Sequence, residues 1–103
     1  MTLRDDLSAR LQALGATLSP SRFGGELAFH LGRRELAHFH DAFTLDLRIT
    51  RKGFRELEPS VRADPRIVSP DAGKRDWIEV RFRRRADLAF VEALARHAVR
   101  ANG

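Results

Sequence analysis

Glu26-Leu27-Ala28-Phe29-His30-Leu31-Gly32-Arg33-Arg34-Glu35-Leu36-Ala37-His38-Phe39-His40-Asp41-Ala42-Phe43-Thr44-Leu45-Asp46-Leu47-Arg48-Ile49 reads as three consecutive β-strands. Leu27, Phe29 and Leu31 alternate with Glu26, Ala28 and His30, the period of two that a half-buried strand requires. Gly32-Arg33 suits a two-residue hairpin turn, and a second strand runs from Arg34 to His40. After Asp41-Ala42 a third strand carries Phe43, Leu45, Leu47 and Ile49 in clean alternation. Strands joined by such short turns are antiparallel.

The flanks add helices. Thr2 followed by Asp5 makes a helix-start box, and Leu3, Leu7, Leu11 and Leu14 recur at helical spacing until Gly15. Turn residues from Ser19 to Gly25 then break the pattern. Thr50 is placed to cap a short helix with Phe54, Leu57 and Val61 inward, weakened by Gly53 and interrupted by Pro59. A brief strand at Ile67-Val68 leads through Pro70-Asp71-Ala72-Gly73-Lys74 to a strand from Trp77 to Arg83, whose Ile78, Val80 and Phe82 share a face. Ala86 to Arg100 forms the last helix, with Leu88, Val91, Leu94, Ala95 and Ala98 as its apolar stripe. The predicted fold is α+β, an antiparallel sheet with helices packed on one face in the order α-β-β-β-α-β-β-α.

At 103 residues there is room for one core, so residues 1–103 read as a single domain. Hydrophobic residues at 43% and charged residues at 32% give the balance of a folded globule. Absence of cysteine excludes disulfides, thiolate metal sites and a cysteine nucleophile, and points to a reducing compartment. No signal-like stretch and no apolar run of about 20 residues is present, so the expectation is a cytoplasmic protein with no membrane contact. The net charge of +5 and pI ≈ 11.2 permit nucleic acid as a partner. All but two of the basic residues, Lys52 and Lys74, are arginine, a skew that a GC-rich genome also produces.

His38 and His40 are the most unusual pair, because residues i and i+2 on a strand share a face. Two-residue turns at Gly32-Arg33 and Asp41-Ala42 would pair His38 with Leu27 and with Leu45, which predicts an inward, buried His38. His-x-His is also a spacing that metal sites use, so His38 and His40 are the candidate metal ligands. His97 and Asp41 are possible third ligands that the spacing does not support, and a histidine pair bonded to backbone or carboxylate is the structural alternative. No cofactor is predicted. Glu35, on the same strand, joins His38 and His40 as a candidate ligand-binding set.

These stretches carry a resemblance. Ser21-Arg22-Phe23-Gly24-Gly25, Gly32 to His40, Ala63-Asp64-Pro65-Arg66-Ile67-Val68 and Trp77 to Phe82 together resemble the small bacterial family described as the luciferase domain, over roughly residues 18 to 100. The resemblance implies a shared fold and no particular activity. The chain departs from the family pattern at Asp41-Ala42-Phe43 and in the lengthened join before Trp77. The order of elements is also similar to YjbR-type double-wing domains, which implies nucleic-acid binding by analogy of fold alone.

Arg81, Arg83, Arg84 and Arg85 form the second candidate site. With Trp77 on the same strand they could hold phosphates and stack a base. Cations at a helix start oppose its dipole, and either an anionic partner or Asp87 can compensate. Gly24-Gly25 precedes a strand and so lacks the setting of a phosphate loop, and Phe23, Phe29, Phe43, Phe54, Phe82 and Phe90 read as core. The expected function is a non-catalytic ligand- or partner-binding domain. A nucleic-acid-binding module using Trp77 and the arginines is the alternative, and an enzyme dependent on metal or histidine at His38 and His40 comes third.

Overall fold

The computed structural model describes residues 1–22, 26–68 and 74–103. The turn at Phe23-Gly24-Gly25 and most of the connection Pro70-Asp71-Ala72-Gly73-Lys74 lie outside the described residues. Five strands form one antiparallel sheet in sequential order: β1 (Thr17–Pro20), β2 (Leu27–Leu31), β3 (Arg34–Asp41), β4 (Thr44–Arg48) and β5 (Trp77–Arg81). The helices are α1 (Leu3–Ala13), α2 (Arg51–Arg55), α3 (Pro59–Arg62) and α4 (Leu88–Ala101). The α+β class and the antiparallel sheet are as the patterning implies.

Two elements differ from the sequence expectation. Ser19-Pro20, read as the start of a turn, belongs to a strand Thr17–Pro20 that pairs with β2 at the sheet edge, a place where Pro20 is tolerated. Ile67-Val68 contributes only an isolated bridge to Val80 and a hydrogen bond from Val68 N–H to the Glu79 carbonyl. Non-local pairing thus decides what these two short segments become.

α1 starts as its box dictates: Thr2 Oγ1 accepts from Asp5 N–H at 3.0 Å and Asp5 accepts from Thr2 N–H at 3.2 Å. Leu7 and Leu11 are fully buried, and with Leu88, Val91, Leu94, Ala95 and Ala98 of α4 they cover one sheet face. That face presents Phe29, Ala37, Leu45, Leu47, Ile78 and Val80. Burying a leucine or valine side chain contributes roughly 1.5–3 kcal/mol, so this layer supplies most of the driving force. Phe29, Phe54 and Phe82 are buried as expected, but Phe43 is 52% exposed. It stands in the β3–β4 turn, which is Ala42-Phe43 and not Asp41-Ala42. Asp41 Oδ1 closes that turn by accepting from Phe43 N–H at 2.8 Å.

Register is the main correction. The Gly32-Arg33 turn forms, with Leu31 opposite Arg34 and His30 opposite Glu35, but Phe29 then faces Ala37 because a bulge makes Leu36 an extra residue. On the other side His38 pairs with Asp46 and Ala37 with Leu47. Each change is a one-residue slip, and a slip of one turns every side chain to the opposite face. His38 therefore leaves the core side and sits half-buried on the face that α1 and α4 do not cover.

Candidate functional site

The uncovered face carries a row of titratable side chains that crosses the sheet. Ser19 Oγ lies 2.8 Å from His30 Nδ1, and His30 Nε2 lies 3.9 Å from Glu35 Oε1. Glu35 is 5% exposed; it accepts from Ser21 Oγ at 2.7 Å and from Arg22 N–H at 3.4 Å. Its Oε2 is 2.8 Å from His38 Nδ1, and His38 Nε2 is 2.9 Å from Asp46 Oδ2. Asp46 Oδ2 is also 3.4 Å from His40 Nδ1. Cross-strand pairing sets Glu79 of β5 opposite Asp46.

Each position has a local cause. His30, His38, Asp46 and Glu79 alternate with Phe29, Ala37, Leu45, Leu47, Ile78 and Val80, so anchoring the apolar residues against the helices turns the polar ones outward together. The bulge at Leu36 brings Glu35 and His38, three residues apart, onto one face. Trp77 completes the row's end, its ring centroid 5.3 Å from that of His38.

Proton counting constrains the centre of this row. An ionised carboxylate only accepts, and a neutral imidazole has one donor. With carboxylate oxygens at both ring nitrogens of His38, both bonds form together only when the ring carries two N–H groups or one carboxyl keeps a proton. Asp46 Oδ1, by contrast, is buried with no hydrogen-bond partner among the described residues. Such an orphaned acceptor costs about 1–3 kcal/mol unless something else satisfies it.

Glu35, His38 and His40 are thus brought together, and Asp46 and Glu79 join them although sequence reading omitted both. Their outward alternation was visible; that they meet the histidines depended on the register. His97 lies elsewhere, its Nε2 2.8 Å from the Gly53 carbonyl oxygen, so it is not a partner of His38 or His40. His40, Asp46 and Glu79 instead each place one ligand atom within 4.8 Å of the others.

The arginine set divides. Arg81, Arg83 and Arg84 line a groove of ≈ 710 Å³ with Asp64, Arg66 and Asp87. Arg85 turns away to Asp6 of α1 at 2.7 Å, and Trp77 stands in the histidine row. Within the groove Arg66 is bound to Asp64 by two bonds of 3.0 and 2.9 Å and to Asp87 at 3.2 Å. Its guanidinium lies 3.9 Å from the Phe90 ring centroid. Asp87 Oδ2 accepts from Arg83 N–H at 2.9 Å and Arg84 N–H at 3.3 Å, which holds its carboxyl below the ordinary carboxylate range, with the Arg66 charge adding to the effect. Asp64 is lowered likewise, chiefly by Arg66. Among the described residues the side chains of Arg81 and Arg83 make no ion pair. A further concavity of ≈ 800 Å³, between α1 and the sheet, is lined by exposed Leu18, Leu27 and Phe43 and holds none of the predicted site residues.

The family model described as Luciferase domain matches residues 33–98, well over half of the chain. The chain belongs to the luciferase-domain family. No curated protein and no solved structure matches it. Among the described residues no helix is long and apolar enough to cross a membrane.

Proposed function

We propose that this member of the luciferase-domain family is a non-catalytic binding domain that takes a cationic ligand on the face of its sheet that α1 and α4 leave uncovered. The observation that carries the reading is the buried Asp46 Oδ1, without a partner among the described residues, in a row holding three carboxylates, Glu35, Asp46 and Glu79. The protein's net charge is positive, but the field at the row is set by groups a few ångströms away, since charges beyond about 10 Å are largely screened in physiological salt. Trp77 supports the same ligand class, because an aromatic face attracts cations. The Ser19 hydroxyl meets His30 Nδ1, but that nitrogen also faces the Ala28 carbonyl oxygen at 3.2 Å and His30 is buried, so the reading of binding is favoured over acyl-transfer chemistry.

Trp77 is the chain's one tryptophan and a built-in reporter beside His38. Fluorescence titrations and amide NMR shifts with spermidine, choline and zinc chloride test the reading. At least one cation is expected to saturate and to shift residues 35, 38, 46, 77 and 79. Shifts confined to the arginine groove, or none with any of the three, would overturn it.

A second reading rests on the groove. Among the described residues Arg81 and Arg83 line it without an ion pair of their own while Arg66 occupies its two carboxylates, an arrangement suited to the phosphates of a nucleic acid. Its cytoplasmic setting would follow from the cysteine-free composition.

A further inference from the structure

We infer that His40, Asp46 and Glu79 form a binding site for a divalent first-row transition metal, with His38 as its outer-shell support. This rests on the cation reading above and names the cation.

The three residues come from adjacent strands β3, β4 and β5 and lie on one face, so the backbone already holds their spacing. One ligand atom of each lies within 4.8 Å of the others. Ligands about 2.0–2.2 Å from a zinc ion sit roughly 3–3.5 Å apart, so side-chain rotation alone closes the site. Two carboxylates directly opposite across a strand pair repel each other. Asp46 and Glu79 are such a pair, and Glu79 makes no ion pair among the described residues. A cation between them removes that repulsion.

The surroundings match what metal sites use. His38 lies between Asp46, 2.9 Å from its Nε2, and Glu35, 2.8 Å from its Nδ1, a carboxylate–imidazole–carboxylate arrangement that orients the ligand. His40 is 53% exposed along its side chain, leaving open coordination positions toward solvent. One imidazole with two carboxylates selects zinc or manganese over magnesium, which prefers oxygen and water alone, and without cysteine there is no soft ligand for copper(I).

The test is calorimetric titration of untagged protein with zinc chloride, with magnesium chloride in parallel, followed by NMR with manganese(II). One equivalent of zinc is expected to bind, with affinity falling by about tenfold or more in His40→Ala and in Glu79→Gln, and by about 10–100-fold in His38→Ala. His97→Gln should bind as the wild type does. His40 is exposed and Glu79 is half-buried, and circular dichroism checks that both variants keep the fold. Manganese should broaden the resonances of residues 40, 46 and 79 first. Zinc that fails to bind below about 1 mM, a Kd worth only about 4 kcal/mol, would overturn the inference, as would zinc binding unchanged in His40→Ala and Glu79→Gln. Spermidine or choline binding at the row without zinc overturns the metal site and leaves the cation reading standing. Failure of all three cations overturns both.

Discussion

Asp87 is where removing one carboxylate should be felt most clearly. It is 8% exposed and accepts two backbone bonds, from Arg83 and Arg84, while holding Arg66 with its other oxygen. In Asp87→Ala those two N–H groups lose their acceptor at the entrance to α4. A lost helix-start acceptor costs about 0.5–2 kcal/mol, and a bond to a charged group about 1.5–3 kcal/mol. Arg66 keeps Asp64, so that part of the loss is small. The expected destabilisation is about 2–3 kcal/mol, and at about 4–8 °C per kcal/mol for a domain of this size, Tm should fall by roughly 10 °C or more. Asp87→Asn retains an acceptor and loses the charge, for about 1 kcal/mol.

The pH dependence follows from linkage. The folded carboxyl of Asp87 titrates below its ordinary value, so its stabilisation is fully present above about pH 4 and is lost as pH falls toward the folded value. Urea unfolding of wild type, Asp87→Ala and Asp87→Asn between neutral pH and about pH 3 measures this, and the gap between wild type and the Asn variant should shrink in that window. An Ala variant within about 0.5 kcal/mol of wild type, or a gap that widens on acidification, would refute the reasoning.

Glu35→Ala removes a buried carboxylate from Ser21 and His38 together and should cost about 2–4 kcal/mol in urea unfolding, with a changed Trp77 emission because His38 is released; Glu35→Gln should recover about half of the loss. An unchanged emission in Glu35→Ala would argue that His38 does not depend on Glu35. For the groove, three contacts by Arg81, Arg83 and Arg84 predict a log–log salt slope of roughly −2 to −3 for a random oligonucleotide, flattened by about two contacts in Arg81→Ala with Arg83→Ala. Trp77→Ala should leave that binding intact, since Trp77 lies in the histidine row; salt-independent or absent binding at low salt would end the nucleic-acid reading.

The sequence determined the elements whose signals are local. Thr2 and Asp5 start α1, the leucine spacing marks its buried face, and Gly32-Arg33 turns β2 into β3, because capping, periodicity and a two-residue turn act within a few residues. The apolar alternation in β2, β4 and β5 likewise determined an antiparallel sheet with helices on one side. What the tertiary structure alone decided was the register and the fate of the edges. A bulge at Leu36 and a turn at Ala42-Phe43 move β3 by one residue, carry His38 from the core to the open face, and assemble it with Glu35, Asp46, His40 and Glu79. Thr17–Pro20 becomes a strand because β2 offers it an edge to pair with. Alternation in sequence says that neighbouring side chains take opposite faces; which of the two faces meets the helices depends on bulges, and these are selected by how Leu36, Ala37 and Phe29 pack together in the finished core.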